Sequence, residues 1–441
     1  MRFLFLTLGL WTICASSYAQ REPDKIYHAN IGSVQLFPTG NQYNYPIITL
    51  GSVGGLELHF DDLDNYVKNY NYTYQLCNAD WTPVNLSTFD YIQGFTQNRL
   101  TQFRNSSIAT TRYIHYQVNL PERNCMPSKS GNYLLKVYLN GDTSQLAFTR
   151  RILIAESGVT IAAAIQQPFD ATKARTHHKL QFTVDKTQLN VLNPAQQLQV
   201  VALQNFRWDN AVTGKQPMFM RGNLFEYNGE RDFLFPAGKE YRWADLGSFR
   251  FLSERMDRYD LKQLPFEIWL KPDGEWTQSR YLYYADLNGF SETRTTDNIN
   301  PWWQGDYAYI NFIYVPAARK PIPNKELYIG GQFSQYKYTD QYRMIFNDQI
   351  GAYEKRLLLK QGYYTYAYFT PVSASPQMAI PNTQATGNTP QLPGETTFTD
   401  GNYWETEDDY TILVYYRAFS DRYDRLVGLA TINSRASRIK E

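Results

Sequence analysis

Runs in which every second position is apolar dominate the chain. From Tyr70 to Leu76 the large side chains are Tyr70, Tyr72, Tyr74 and Leu76, with polar residues between them. Leu56, Leu58 and Phe60 repeat the pattern, and Ile114, Tyr116, Val118 and Leu120 extend it, leaving Tyr113, His115 and Gln117 on the opposite face. Alternation at period two is the signature of a strand with one buried face. The run from Gly131 to Ile154 reads as a hairpin around Asn140-Gly141-Asp142, a strong turn signal. No window keeps a helical apolar period for three turns. Short strands separated by turn residues predict an all-β chain of tandem immunoglobulin-like β-sandwiches.

The strand runs fall into three groups. Residues 20–157 are expected to form a first sandwich, 158–296 a second and 297–441 a third, with the polar stretch 292–301 as the boundary between the last two. A segment rich in Pro, Thr, Gln and Gly, at about 372–399, interrupts the third. An outer-membrane barrel is the competing reading of so many strands. The bulk of the inward positions favours packed sandwiches instead.

Composition sharpens this picture. Tyr (36) and Phe (25) are unusually numerous, and aromatics make up 16% of the chain, which suits pleated, half-buried surfaces. Lys plus Arg (43) nearly equals Asp plus Glu (42), so there is no basic footprint for nucleic acid. Residues 1–19 read as a signal peptide: Arg2, an apolar run to Cys14, then Ser17-Tyr18-Ala19. Cys77 and Cys125 follow it, and in an oxidising compartment they form a possible disulfide, although spacing alone cannot supply the required Cα distance.

Candidate chemistry is sparse. His59 and His115 are expected to be solvated on the polar faces of their strands, and His177-His178 point to opposite faces. No metalloprotease, nucleophile-elbow or phosphate-loop motif occurs. The run Glu405 to Asp409 could suggest a glycosidase pair or a calcium or sugar site, but reads more simply as an acidic turn entering a strand. Asp61 and Asp62 read likewise as a charged turn. No catalytic residue, metal ligand or cofactor is expected.

Two resemblances follow. Residues 326–369 resemble starch- and glycogen-binding sandwich modules at the framework positions Gly331, Phe333, Met344, Gly351, Tyr353, Gly362, Tyr364 and Tyr366, with Tyr336 where a stacking tryptophan would stand. That likeness supports the fold class, and leaves a periplasmic carbohydrate-binding protein as the alternative function. The longer resemblance rests on Cys77-Asn78-Ala79-Asp80-Trp81, on Ser130-Gly131-Asn132-Tyr133 with its hairpin, and on Asn402 to Gly428. These pieces are similar to the plug family of the Bacteroidota type IX secretion system.

That resemblance implies a non-enzymatic periplasmic subunit at the inner face of the outer membrane. Its partner would be the system's giant β-barrel translocon, whose periplasmic opening it would plug, with no nucleic acid and no small-molecule substrate. The Cys77–Trp81 stretch is expected to be an Asx-type turn capped by Trp81. Tyrosine is well suited to recognition surfaces, so Tyr113, Tyr363 and Tyr415, expected on exposed faces, and Trp302-Trp303, expected at a domain junction, are the candidate partner contacts.

Overall fold

The structure, a computed structural model, describes residues 22–372 and 392–438. The expected signal peptide and most of the 372–399 segment lie outside these residues. The regular secondary structure of the described residues is almost wholly strand, as the alternation predicts, arranged in three β-sandwiches.

The first sandwich faces a four-stranded sheet (Ile31–Pro38, Leu56–Asp62, Ile114–Leu120, Gln102–Asn105) against a five-stranded one (Ile47–Thr49, Leu146–Ala155, Gly131–Leu139, Tyr70–Cys77, Asn98–Arg99). Its core takes the inward set foreseen from the pattern: Leu56, Leu58, Phe60, Tyr70, Tyr72, Tyr74, Leu76 and Tyr116 are all essentially inaccessible. Buried tyrosines need partners for their hydroxyls. Tyr70 Oη donates to Asp62 Oδ2 at 2.8 Å, and Tyr116 Oη to the Lys68 carbonyl at 3.0 Å. In the third sandwich Tyr366 and Tyr368 both donate to Asp273 Oδ2, at 2.9 and 2.8 Å. Much of the tyrosine thus serves the cores and not an outer recognition surface.

The other two sandwiches divide the chain differently from the expected boundary at 296/297. Strand Leu198–Gln204 pairs antiparallel with Asp409–Tyr416, which pairs with Arg425–Asn433. This three-stranded sheet packs on Thr160–Gln166, His177–Asp185, Leu224–Tyr227 and their neighbours, and one core joins Leu180, Phe182, Val200 and Phe235 to Ile412 and Val427. The strands from Arg242–Asp245 to Gly394–Glu395 build the third sandwich, whose core includes Leu246, Ile268, Ile310 and Tyr366. The third sandwich is therefore inserted within the second. Alternation shows which face of a strand is apolar but not which strand it pairs with, so the sequence pattern could not reveal the insertion.

The possible disulfide is absent. Cys77 and Cys125 are free and buried. Cys125 belongs to the first core while Cys77 lies in a separate cluster on the outer side of its sheet. Burial pushes both thiols up to about 12, so they behave as small apolar groups.

The insertion makes a direct prediction. Deleting residues 405–441 removes two strands of a three-stranded sheet and uncovers Val200 and Ala202. Limited proteolysis should then cut within 158–236 while the first sandwich stays intact; a protected 158–236 segment would contradict the assigned pairing.

Candidate functional site: the junctions between the sandwiches

Three clusters of ionisable and aromatic side chains lie where sandwiches meet. At the first–second junction, strand Tyr70–Cys77 ends in a tight turn. The Asp80 carboxylate accepts from Thr82 N at 2.9 Å, the expected Asx geometry, and Trp81 takes a left-handed φ of 66°. The turn also reaches across the junction. Ala79 N donates to Asp424 Oδ2 at 2.9 Å, Arg417 donates to Asn78 Oδ1 at 2.6 Å, and Arg417 pairs with Asp424 at 2.7 Å. Asn132 Nδ2 donates to the Asn78 carbonyl at 3.1 Å, while its Oδ1 accepts from Tyr415 Oη at 2.7 Å. Gly131, at φ 141°, leaves room for this approach, since a Cβ there would stand 3.1 Å from the Asp424 carbonyl oxygen. Trp81 meets Trp208 edge to face with ring centres 5.0 Å apart, and the Arg151 guanidinium lies 4.9 Å from the Trp81 ring centre. The three pieces that carried the longer resemblance meet at this one junction.

The first–third junction is built around a buried carboxylate. Asp61 accepts from Tyr307 Oη at 2.6 Å, Lys360 Nζ at 2.5 Å and His115 Nδ1 at 2.7 Å. The chain continues from His115 to His59 at 3.1 Å and from His59 to Glu57 at 3.3 Å. The Trp302 ring lies parallel over His59, centres 3.8 Å apart. Lys360 Nζ also donates to the Trp302 carbonyl at 2.6 Å, and Tyr113 Oη to the Gly305 carbonyl at 2.6 Å. Burial raises the cost of ionising Asp61, but Lys360 and His115 hold its carboxyl below the usual range. Burial, helped by His115, depresses His59 from 6.5 to about 3.

Between the second and third sandwiches, the buried Arg207 pairs with Asp209 at 2.7 Å and donates to the Gly394 carbonyl at 2.7 Å; Tyr338 Oη also reaches Asp209, at 2.8 Å. Asn288 Nδ2 donates to Asp409 at 3.2 Å. The acidic run is spent here: Asp408 accepts from Asn205 Nδ2 at 2.6 Å and Gln204 Nε2 at 3.0 Å, and burial raises the Glu407 carboxyl. Among the described residues no group of three His, Cys, Asp or Glu side chains is arranged to hold a metal ion.

Several expectations need correction. Tyr113 and Tyr415 are buried, not exposed, and His59 and His115 are only 6% and 1% exposed. Asp61 and Asp62 belong to strand Leu56–Asp62 and are fully covered, not in a turn. For Asp61, His59, His115, Tyr113 and Tyr415 the face turned away from one core is covered by a neighbouring sandwich, whereas Asp62 is covered within the first sandwich by Asn30, Lys68 and Tyr70. Trp302 and Trp303 do lie at a junction, but it is with the first sandwich; the Arg104 guanidinium lies 4.8 Å from the Trp303 ring centre. Tyr363 remains half-buried, with Arg294 4.7 Å from its ring centre. Tyr336, the stacking position of the glycogen-module likeness, is buried beneath Phe369 and Arg207, so it offers no open platform for a sugar. Sequence reasoning missed Lys360, Tyr307, Asp424 and Arg417, for which the only signal was an ionisable group beside an alternating strand.

Residues 31–156 match the family model described as the Type 9 secretion system plug protein 1st domain. The chain carries a plug-family first domain. Two of the three resemblance motifs, Cys77–Trp81 and Ser130–Tyr133, fall inside the matched span. A crystal structure of a hypothetical protein from Parabacteroides merdae ATCC 43184 is similar over 93% of this chain and 99% of that one, with 29% identity and a TM-score of 0.84. No curated protein matches. The plug domain thus sits in a chain whose full three-sandwich course is shared with that bacterial structure.

Two measurements test the junction of the plug domain with the third sandwich. His59 binds its proton far less readily folded than unfolded, so stability is full above pH 6.5 and is lost as pH falls towards 3. His59→Gln should therefore show a shallower acid loss of unfolding free energy than the wild type, by up to about 1.4 kcal/mol per pH unit. Asp61→Asn strands Lys360 in the junction and should cost about 3–5 kcal/mol in urea unfolding at neutral pH, more than Lys360→Met Asp61→Asn together.

Proposed function

We propose that the protein is a non-enzymatic subunit of the type 9 secretion system that closes the periplasmic opening of the outer-membrane β-barrel translocon. The match of residues 31–156 to the plug family carries this reading. The junction chemistry supports it. A lid that seals a wide channel must resist bending, and three sandwiches tied pairwise by buried ion pairs and hydrogen bonds have little freedom to hinge. The groups that could suggest catalysis, the Asp61–His115–His59 chain and the Glu405–Asp409 run, are engaged in those ties. In this reading the protein works in the periplasm against the inner face of the outer membrane, and it acts by occupying space.

The contact with the barrel is drawn from surfaces the junctions leave free. Phe89 and Phe95 of the plug domain are 78% and 65% exposed, large apolar side chains of the kind that anchor protein interfaces. The paired variant Phe89→Glu with Phe95→Glu should fold with an unchanged melting temperature yet lose co-purification with a very large barrel from solubilised outer membranes. A strain lacking the protein should admit large antibiotics more readily. Unchanged permeability in that strain would remove the sealing role.

A further inference from the structure

Strand Leu146–Ala155 alternates as the first sandwich requires. Phe148, Ile152 and Ile154 enter its core, while Leu153 and Arg151 face the second sandwich. Position 150 falls in the inward set, and it is arginine. Arg150 is 6% exposed. Its guanidinium donates to its neighbour's carbonyl, Thr149 O, at 2.9 Å and reaches the Val34 carbonyl at 3.5 Å. Among the described residues no carboxylate forms an ion pair with it. Asp24 is near, but its two oxygens are taken by the backbone N–H and guanidinium of Arg151. Burial accordingly pulls the Arg150 pKa down. A buried cation without a counter-ion is costly.

Arg150 lines a cavity between the first and third sandwiches with about 50 Å³ of room for water-sized molecules. Asp24, Gln35, Arg151 and Gln332 share its wall, closed on the apolar side by Phe290 and Phe333. Two guanidiniums against one carboxylate leave this wall with one unmatched positive charge. A second observation points the same way: Gln332 Nε2 is buried and has no hydrogen-bond partner. A charged fork and a side chain with an orphan amide donor, contributed by two different sandwiches, line one small space.

We propose that this cavity binds a small oxyanion, a carboxylate or inorganic phosphate, through Arg150 and Gln332. A water-sized site needs roughly 10–15 Å³ of such volume, so the space suits a group of a few heavy atoms and excludes a sugar or nucleotide. Arginine's planar fork matches an oxyanion with two oxygens, and the aromatic wall lowers the local dielectric, which strengthens the contact. The bound ion supplies the missing counter-charge and bridges the plug domain to the third sandwich.

Thermal unfolding and calorimetry of the signal-free chain test this, with sodium phosphate, sodium acetate and sodium chloride compared at equal ionic strength. Phosphate or acetate should bind at one site per chain and raise the melting temperature saturably, and chloride should not; which of the two acts distinguishes the source of the oxyanion. Arg150→Met should fold at least as stably as the wild type in chloride, because it removes an unpaired buried charge, and should weaken oxyanion binding at least tenfold. Gln332→Leu, outside the first core, should weaken it several-fold. Equal stabilisation by chloride, or unchanged oxyanion affinity in Arg150→Met, overturns the proposal. Should Arg150→Met fail to fold, wild-type affinity in Gln332→Leu overturns it equally.

Discussion

Apart from one isolated bridge between Ala202 and Val212, strand Leu198–Gln204 gains a ladder partner only when Asp409–Tyr416 arrives. The second sandwich cannot close before the polypeptide has left it, built the third sandwich and returned. That single pairing decides the rest of the arrangement. It sets the two ends of the third sandwich side by side on the second, and it delivers the hairpin Asp409–Asn433 to the turn at Cys77–Trp81. The hairpin's loop carries Asp424 and its first strand carries Tyr415, so closing the second core and docking the first sandwich are one event. Pairings between strands so distant in sequence form late, because loop closure has to be met before the contacts can compensate.

The junctions share a chemical style. Each places at least one carboxylate out of water and hydrogen-bonds it to the neighbouring sandwich: Asp61 with Lys360 and Tyr307, Asp424 with the Ala79 amide, Asp209 with Tyr338 and the Gly394 amide. Such groups add little net stability over an apolar contact of the same shape, since desolvation consumes most of the Coulomb gain. Their effect is on geometry. A buried carboxylate with three fixed donors tolerates almost no displacement, whereas two apolar faces can slide. Polar ties across apolar rims restrain the three domains against one another, the mechanical property that the proposed capping role requires.

Aromatic content enters the same account. Tyrosine on an inward strand position fills a core as phenylalanine would, and its hydroxyl then reaches the rim to hold a carboxylate or a carbonyl. Tyr70, Tyr366 and Tyr368 do this within sandwiches, and Tyr113, Tyr307 and Tyr415 do it between them. One residue type thus supplies both the packing and the cross-links.

Period-two alternation determined the strands, their inward faces and the all-β class, because a strand's side chains must alternate and one face must be dry. The stretches Cys77–Trp81, Ser130–Tyr133 and Asn402–Gly428 were recognisable as belonging together, and their union at one junction explains why. What the pattern left open was the covering of outward faces. His59, His115, Tyr113 and Tyr415 sit where a lone sandwich would meet water, and only the neighbouring sandwich buries them. The order of domains along the chain was equally hidden, since an apolar stripe is the same whether its partner is the next strand or the last. Local periodicity is fixed by each residue and its neighbours; pairing and docking depend on surfaces that exist only once the whole chain has folded.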